Sequence, residues 1–436
     1  MRGATVKQLA AAAAGTLSTL VAAGAYGSGG GYLMDGAREA ALAGSVVARR
    51  GDPSSLDANV AGAADSASAA LALGASVGAL ESRFARTGEP ESLRTRGLTS
   101  ASLALVAPLP AQWGWESVRF ALGLDLPGGQ VLRVSVPQRY DAPYSPVYEA
   151  RSERMAATLA IAWGGGPVRL GAGVALAPYL DVPTEVRYVA SRGATPEDDV
   201  EVRLERRLHL GFAPLFGARW EVAEALHLGA AYRFRADGGA EGPQRTVAGG
   251  ILADDPIDYY ILWDPAELAL GVRAAPWRGT ELSLDVAWVR WSEARSAFDT
   301  RLAQPLEDVW TPRVGVEQRL GEVLVVRAGY SFEGTPVPPQ VGDTSYLDAD
   351  RHVLGAGAGF ELEPWLGWPL TADVFGRTHL GAEQRATKDP GVLTDADPDA
   401  PGQQITNLGF PGYRSTTHLY QAGVTLTYRL GHEAPR

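Results

Sequence analysis

Residues 419–430 read LYQAGVTLTYRL, and their side chains alternate between two kinds. The even-numbered positions from Tyr420 to Leu430 are apolar, whereas the odd-numbered positions between them are polar or small. Successive side chains of a β-strand point to opposite faces, so a period of two predicts a long strand with one apolar face.

The same alternation returns along most of the chain. TELSLDVAWVRW at 280–291 and LHLGAAYRFR at 226–235 both separate an apolar face from a polar one. The pattern predicts about fourteen strands, at 69–84, 97–107, 115–126, 154–164, 167–190, 200–221, 226–247, 264–276, 280–293, 309–319, 322–333, 351–363, 368–387 and 413–430. Short predicted turns alternate with long loops near 127–153, 248–263, 294–308, 334–350 and 388–412.

The composition excludes several classes of protein. The 436 residues include no cysteine, which excludes disulfides, thiolate catalysis and cysteine metal sites. A net charge of −11 argues against a nucleic-acid partner, because phosphate neutralisation needs basic residues. Hydrophobic residues make up 46% of the chain, yet the mean hydropathy is −0.07, so apolar and polar residues must be interleaved.

The N-terminus has the features of a secretory signal peptide. Arg2 and Lys7 give a positive start, Leu9–Ala23 is apolar, and Ala23–Ala25 fits a cleavage site. No later run of about 18 apolar residues predicts a transmembrane helix. We therefore expect an exported chain without a helical anchor.

An exported chain with long alternating strands and alternating loop lengths fits an outer-membrane β-barrel. Tryptophans near predicted strand ends support an interfacial girdle, namely Trp113, Trp115, Trp163, Trp220, Trp277, Trp291, Trp310 and Trp368. A soluble secreted β-sandwich or propeller is the alternative architecture, but it does not explain why short turns alternate with long loops. Charges opposite the apolar faces should form cross-strand ion pairs in the lumen, for example among Asp285, Arg313, Glu317 and Arg327.

The stretch 308–339, DVWTPRVGVEQRLGEVLVVRAGYSFEGTPVPP, resembles the late strands of the FadL-type (OMPP1/FadL/TodX) outer-membrane transporters of long-chain fatty acids and other hydrophobic compounds. The matching residues are Trp310, Arg313, Gly315, Arg327–Tyr330, Pro336–Pro338 and Asp350-Arg351. LSLDVAWVRWSEA at 282–294 resembles the family's preceding strand. The resemblance covers about 32–430 and implies a transmembrane antiparallel β-barrel of fourteen strands.

GAREAALAGSVVARRGDPSSLDANVAGAAD, residues 36–65, resembles the family's N-terminal hatch, a small helical or irregular plug in the lumen. Asn59, Val60, Ala61 and Gly62 stand at the hatch signature, with Val60 in place of the family's proline. The rigid turn that proline gives is therefore absent.

With the signal peptide at 1–25, the resemblance implies a hatch at 26–68, a barrel at 69–430 and a tail at 431–436. The tail GHEAPR after Leu430 is a second departure, because barrels usually end on an aromatic residue.

The resemblance also implies passive uptake of hydrophobic small molecules, such as long-chain fatty acids or aromatic hydrocarbons. Outer loops would capture the ligand, an apolar pocket beside the hatch would hold it, and hatch movement or a gap in the third strand would release it sideways into the membrane. The ligand-binding candidates are Tyr32 and Leu33, the cluster Ile257, Tyr259, Tyr260, Ile261 and Leu262 in a long loop, and Arg313 or Arg327 for an acid head group.

Two other functions stay open at this point. A general diffusion porin has a wet lumen and does not need 26–68 folded inside it. An outer-membrane lipase-type enzyme needs a serine and a histidine facing one direction, and His418 with Ser415 or Ser331 is the only weak candidate.

No motif for catalysis, metal binding or a cofactor occurs, so we expect neither an enzyme nor a metal or cofactor site. The expected partners are the hydrophobic ligand, outer-membrane lipid or lipopolysaccharide, and the barrel-assembly machinery. We expect a monomer in the outer membrane of a Gram-negative bacterium.

Overall fold

The computed structural model describes residues 36–128, 132–134, 152–176, 184–191, 199–208, 212–248, 251–294, 305–341, 346–389 and 411–430. The strands of these residues are β1 (Ala69–Arg86), β2 (Ser92–Pro108), β3 (Val118–Pro127), β4 (Leu132–Val134), β5 (Ser152–Arg154), β6 (Ala156–Gly165), β7 (Val168–Leu176), β8 (Thr184–Ser191), β9 (Asp199–Leu208), β10 (Phe212–Ala223), β11 (Leu226–Arg233), β12 (Ala236–Ala248), β13 (Ile251–Asp264), β14 (Ala266–Trp277), β15 (Thr280–Arg290), β16 (Val309–Leu320), β17 (Leu324–Glu333), β18 (Arg351–Glu361), β19 (Leu370–Gly381), β20 (Gln384–Thr387) and β21 (Gly412–Leu430). The described helices are Ala37–Ala41 and Glu363–Leu366, with 3-10 turns at Pro53–Ser55, Val60–Asp65, Ala111–Trp113 and Trp291–Glu293.

Fourteen strands form a closed antiparallel barrel, in the order β1-β2-β3-β6-β7-β10-β11-β14-β15-β16-β17-β18-β19-β21. The extra strand β20 also pairs with β21, beyond the end of β19. The barrel closes where β1 pairs with β21, from Ala69 opposite Leu430 to Arg86 opposite Tyr413. Closure gives hydrogen-bond partners to the two strands that would otherwise be edges, as a lipid environment requires.

The wall is apolar outside and polar inside, which confirms the alternation seen in the sequence. On β15, Leu282 and Leu284 are exposed on the outer face, whereas Ser283 and Asp285 are buried on the luminal face. The opening stretch on β21 behaves in the same way, with its apolar series exposed and its threonines buried. None of the described helices is long and apolar enough to cross a membrane.

The region between β7 and β14 differs from the sequence prediction. The strands predicted at 167–190, 200–221 and 226–247 each divide in two, and the loop predicted at 248–263 is wrong because β13 occupies it. The additional strands form a separate four-stranded sheet, in the order β13-β12-β9-β8. Alternation has the same period in this sheet as in the wall, so periodicity alone does not separate the two.

Most of the predicted tryptophan girdle lies at the end of the barrel that carries the short turns. The predicted girdle tryptophans that are exposed at this end are Trp113, Trp115, Trp163, Trp220, Trp277 and Trp368. Trp310 is also exposed, near the long-loop end, where its ring stacks on Trp288 with centroids 6.2 Å apart. The assignment of Trp291 to the girdle is wrong, because this residue is buried in a cluster with Leu306 and Val337.

A charged residue on the outer face should destabilise the protein more the closer it lies to the middle of the membrane. Leu284 is exposed between the two aromatic ends of the wall, whereas Val222 is exposed beside a short turn. We expect Leu284→Arg to lower the free energy of unfolding in liposomes by about 2–4 kcal/mol, and Val222→Arg by only about 0–1 kcal/mol. Urea titration of both variants measures the difference, and equal costs would contradict a membrane-facing outer wall.

Candidate functional site

Residues 36–66 cross the barrel lumen, and we call them the luminal segment. The helix Ala37–Ala41 contacts β17, β18, β19 and β21, whereas the turn Val60–Asp65 contacts β3, β6, β7 and β10. The intervening turn Pro53–Ser55 contacts β1, β2 and β3. The segment therefore touches several sides of the inner wall, at the place expected for a hatch.

Short polar residues define the turns of the luminal segment. The Asp52 carboxylate accepts a hydrogen bond from the Ser54 backbone at 2.8 Å, and Pro53 takes the first turn position, where no N–H is needed. The Asn59 side chain caps the next turn by accepting from the Ala61 backbone at 3.0 Å. Consecutive capped turns explain why this stretch shows neither strand nor helix periodicity.

The predicted signature residues have structural contacts within the segment. The Asn59 amide donates to the Val47 carbonyl at 2.8 Å and to the Ala218 carbonyl of β10 at 3.2 Å. Gly62 lies so close to Gly51 that a Cβ on Gly51 would lie 1.8 Å from the Gly62 oxygen. Asn59 thus joins two turns of the segment to the wall.

One side of the luminal segment is held by apolar packing. Val60 is buried with Leu56 and Ala63 in a cluster that includes Val106 of β2 and Ala121 of β3. At the position where the family carries proline, this chain therefore places a β-branched side chain in an apolar contact.

The opposite side is held by a chain of buried ions. Arg38 of the segment donates to Glu317 of β16 at 3.0 Å, and Arg327 of β17 donates to the same carboxylate at 2.6 Å. Arg327 also pairs with Asp373 of β19. The predicted cross-strand pair between Glu317 and Arg327 is present, and a residue of the segment extends it.

Two further ionic contacts fix the middle and the end of the segment. Arg49 lies 3.0 Å from Glu281 of β15. Asp65 pairs with Arg219 of β10, whose side chain is fully buried, and lies 3.1 Å from Arg169 of β7. Because breaking such buried pairs leaves an uncompensated charge, they oppose displacement of the segment.

Glycines of the wall make room for the segment's backbone. Gly315, Gly329 and Gly355 lie side by side in register on β16, β17 and β18. A Cβ on Gly329 would lie 2.1 Å from the carbonyl carbon of Leu42, and one on Gly355 would lie 2.4 Å from the Ala40 oxygen. The helix of the segment therefore rests directly on the wall's backbone.

A cavity of about 280 Å³ lies on the long-loop side of the luminal segment. We call it the outer cavity. Its apolar wall comes mainly from β6, β7, β10 and β11 and includes Ala156, Leu176, Ala213, Leu215 and Ala231. Its charged wall comes from β14 and β16–β19 and includes Glu267, Arg313, Glu333, Arg351, Arg377 and His379.

The rim of the outer cavity is tied by a buried ion cluster. Arg351 donates to Glu333 at 2.5 Å and to Asp348 at 3.0 Å. Asp348 belongs to the connection between β17 and β18 and also accepts from Thr335 at 2.7 Å. Burial raises the pKa of Asp348 above its usual range, although Arg351 opposes this effect.

A second cavity of about 480 Å³ lies on the short-turn side of the segment, and we call it the inner cavity. Charged side chains dominate its lining, among them Arg38, Asp65, Glu317, Arg327, Glu361, Asp373 and Arg429. The luminal segment thus separates a cavity with an apolar wall from a strongly polar one.

The two arginines proposed for a head group lie on opposite sides of the segment. Arg313 lines the outer cavity, where it lies 3.3 Å from Glu267, and Arg327 lines the inner cavity. Asp285, one of the four residues expected to form cross-strand ion pairs, accepts a hydrogen bond from the Val47 backbone at 2.9 Å. Arg313 is therefore the better placed of the two to meet a ligand from outside.

The other binding candidates belong to two further parts of the chain. Tyr32 and Leu33 lie outside the described residues. Ile257, Tyr259, Tyr260, Ile261 and Leu262 belong to β13 of the four-stranded sheet rather than to a loop. Their role in ligand capture stays a prediction.

The structure also describes the third strand and the serine and histidine candidates for a lipase-type site. Within the described residues, β3 pairs with β2 and with β6 without a register shift. Ser415 and His418 point to opposite faces of β21, and Ser331 lies on the luminal face of β17, which β18 and β19 separate from β21. The serine and histidine candidates therefore do not form a pair.

Sequence reasoning missed the residues that hold the segment. The glycines of β16, β17 and β18 occupy the luminal positions of three successive predicted strands, and their shared register was a usable signal. No sequence pattern joins Asp65 to Arg219, because the two residues meet only when the segment lies inside the barrel.

Comparisons with known proteins agree with this architecture. The family model described as outer membrane protein transport protein (OMPP1/FadL/TodX) matches residues 36–403. A crystal structure of a Pseudomonas aeruginosa FadL homologue superposes with a TM-score of 0.63 at 16% identity, covering 91% of this chain and 98% of that one.

Two further solved structures have the same fold. The Pseudomonas putida toluene transporter TodX superposes with a TM-score of 0.55 at 14% identity, covering 91% of this chain and 99% of that one. The Ralstonia pickettii toluene transporter TbuX gives 0.51 at 14% identity with the same coverage. A sequence search of curated proteins gives no match.

The close approach of the segment to the wall gives a direct test. A methyl group at Gly329 would overlap the Leu42 backbone, whereas Gly376 has no neighbour within 4 Å of its Cβ position. We expect Gly329→Ala to destabilise docking of the segment by about 1–3 kcal/mol, with faster hydrogen exchange over 37–48. Gly376→Ala is the matched control, and unchanged exchange in Gly329→Ala would contradict the described contact.

Proposed function

Because the chain belongs to the OMPP1/FadL/TodX family of outer-membrane transport proteins, we propose that it carries hydrophobic small molecules passively across the outer membrane, through a lumen gated by residues 36–66. The observation that carries this proposal is the luminal segment itself, which lies between two cavities of different polarity. A general diffusion porin needs an open wet lumen, and this lumen holds a folded segment.

The outer cavity supports a ligand with an apolar body. Moving a hydrocarbon chain from water to an apolar surface contributes roughly 0.8 kcal/mol for each buried CH₂. The strands β6, β7, β10 and β11 supply such a surface through residues such as Leu176 and Leu215. A wet channel would contribute nothing comparable to a hydrophobic solute.

The opposite wall of the same cavity supports a polar end on that ligand. Arg313 and Arg233 share one carboxylate, Glu267, with separations of 3.3 Å and 3.1 Å. Each guanidinium carries five N–H donors, and the contact with Glu267 uses one donor of each arginine, so donors remain for an anionic head group. We therefore favour a long-chain fatty acid over an aromatic hydrocarbon, although the solved relatives TodX and TbuX are described as toluene transporters.

We place the release step at the luminal segment. Continuous pairing of β3 gives no support to a preformed gap within its described residues, so movement of the segment is the favoured gate. The apolar side is the stretch around Leu56 and Val60, which lies between the ionic contacts of Arg49 and Asp65 and is held by apolar packing. The apolar side is the part of the segment that a hydrophobic ligand can displace, before it passes sideways into the membrane.

Removal of the segment should convert the protein into a leaky pore. We expect a chain that lacks 26–62 to show a large increase in conductance across planar bilayers compared with the intact protein, because the lumen then contains only water. Equal conductance of the two proteins would contradict a plug at this position.

The ligand class can be tested at the charged wall. We expect Arg313→Gln to weaken binding of a long-chain fatty acid by roughly tenfold or more, the loss of a charged hydrogen bond, and to leave toluene binding unchanged. Arg278→Gln, in the turn between β14 and β15, is the control. An equal effect of Arg313→Gln on both ligands would rule out a head-group role.

A further inference from the structure

Two arginines stand directly opposite each other on the outer face of the wall. Arg385 of β20 pairs in register with Arg414 of β21, and their side chains are 78% and 57% exposed. Like charges directly opposite each other destabilise a sheet unless an anion lies between them. An anion bound between Arg385 and Arg414 would therefore stabilise this pair.

A third arginine lies beside this pair on the next strand. Arg83 of β1 lies opposite Thr416 of β21. Thr416 is two residues from Arg414 and faces the same side of the strand. The side chain of Arg83 is exposed and makes no ion pair with another described residue. The three guanidinium groups thus form one basic patch across β20, β21 and β1, which we call the outer arginine patch.

Nearby carboxylates do not neutralise the outer arginine patch. Glu383 pairs with Arg385, and Glu91 lies 3.9 Å from Arg414. The next outward carboxylate, Glu81, is opposite His418 in the row below. Three arginines therefore share two carboxylates, both at exposed positions where ion pairs hold weakly.

The patch lies above the hydrocarbon core of the membrane, on the long-loop side of the barrel. Tyr420 is exposed on the outer face of β21, with His418 next to it, and tyrosines at such positions mark the membrane interface. Arg414 is six residues further along the strand. At ~3.4 Å per residue and a strand tilt of ~40°, it lies roughly 15 Å above Tyr420.

We propose that Arg83, Arg385 and Arg414 bind a phosphate group of a lipid in the outer leaflet of the membrane. Guanidinium groups match phosphate oxygens in geometry and charge, and an anion between Arg385 and Arg414 removes their repulsion. The patch lies on the outside of the barrel and points away from the lumen, where a phosphate in the polar zone of the outer leaflet can reach it. This site is separate from the transport route.

The test compares the lipids that the full-length protein retains. The variant Arg385→Gln with Arg414→Gln is purified from outer membranes in mild detergent, and bound phosphorylated lipid is counted by native mass spectrometry. We expect a loss of roughly tenfold or more relative to the unmodified protein. The control Arg278→Gln removes an arginine from the short-turn end and should retain the lipid.

A second measurement separates phosphate recognition from general contact with lipid. Each protein is incubated with micelles of the phosphorylated lipid and of the same lipid after its phosphates have been removed. Selective loss of the phosphorylated form in the double variant supports the site. Unchanged retention, or equal loss of both forms, overturns it. Arg83→Gln alone should give a smaller selective loss, and heat-modified mobility on gels verifies that each variant is folded.

Discussion

The pairing of β1 with β21 is the contact on which the rest of the structure depends. A lipid environment offers no hydrogen bonds, so every N–H and C=O group of a spanning wall needs a partner within the wall. The ladder from Ala69 opposite Leu430 to Arg86 opposite Tyr413 meets this need for the first and last strands of the barrel. Once the wall is closed, its outer face must be apolar, and the polar half of each strand must face inwards.

Because polar side chains face inwards, the lumen is a polar interior whose buried charges and hydrogen-bonding groups need partners. The luminal segment supplies them with Arg38, Arg49 and Asp65, and Val60 covers apolar positions of β2 and β3. The same segment therefore completes the charge balance of the wall and divides the lumen into two cavities. The charge balance of the wall and the division of the lumen thus depend on one stretch of about thirty residues, 36–66.

Much of this architecture is predictable from the sequence, because alternation and loop length report local geometry. The closed barrel, its outward faces and the Glu317–Arg327 pair agree with expectation. The four-stranded sheet differed because a strand above the membrane has the same period as one within it. The contacts of Asn59 and Asp65 escaped prediction because they join distant parts of the chain through the lumen.

Closure of the barrel also orders its assembly in time. The luminal segment directly precedes β1, and β1 closes the barrel with β21, so the two halves of the final ladder come from distant parts of the chain. Such non-local pairing forms late, because the intervening chain must first be organised. The segment must be in place before this last step, since the sealed wall then surrounds it. Closure of the wall and enclosure of the segment are therefore coupled steps of folding.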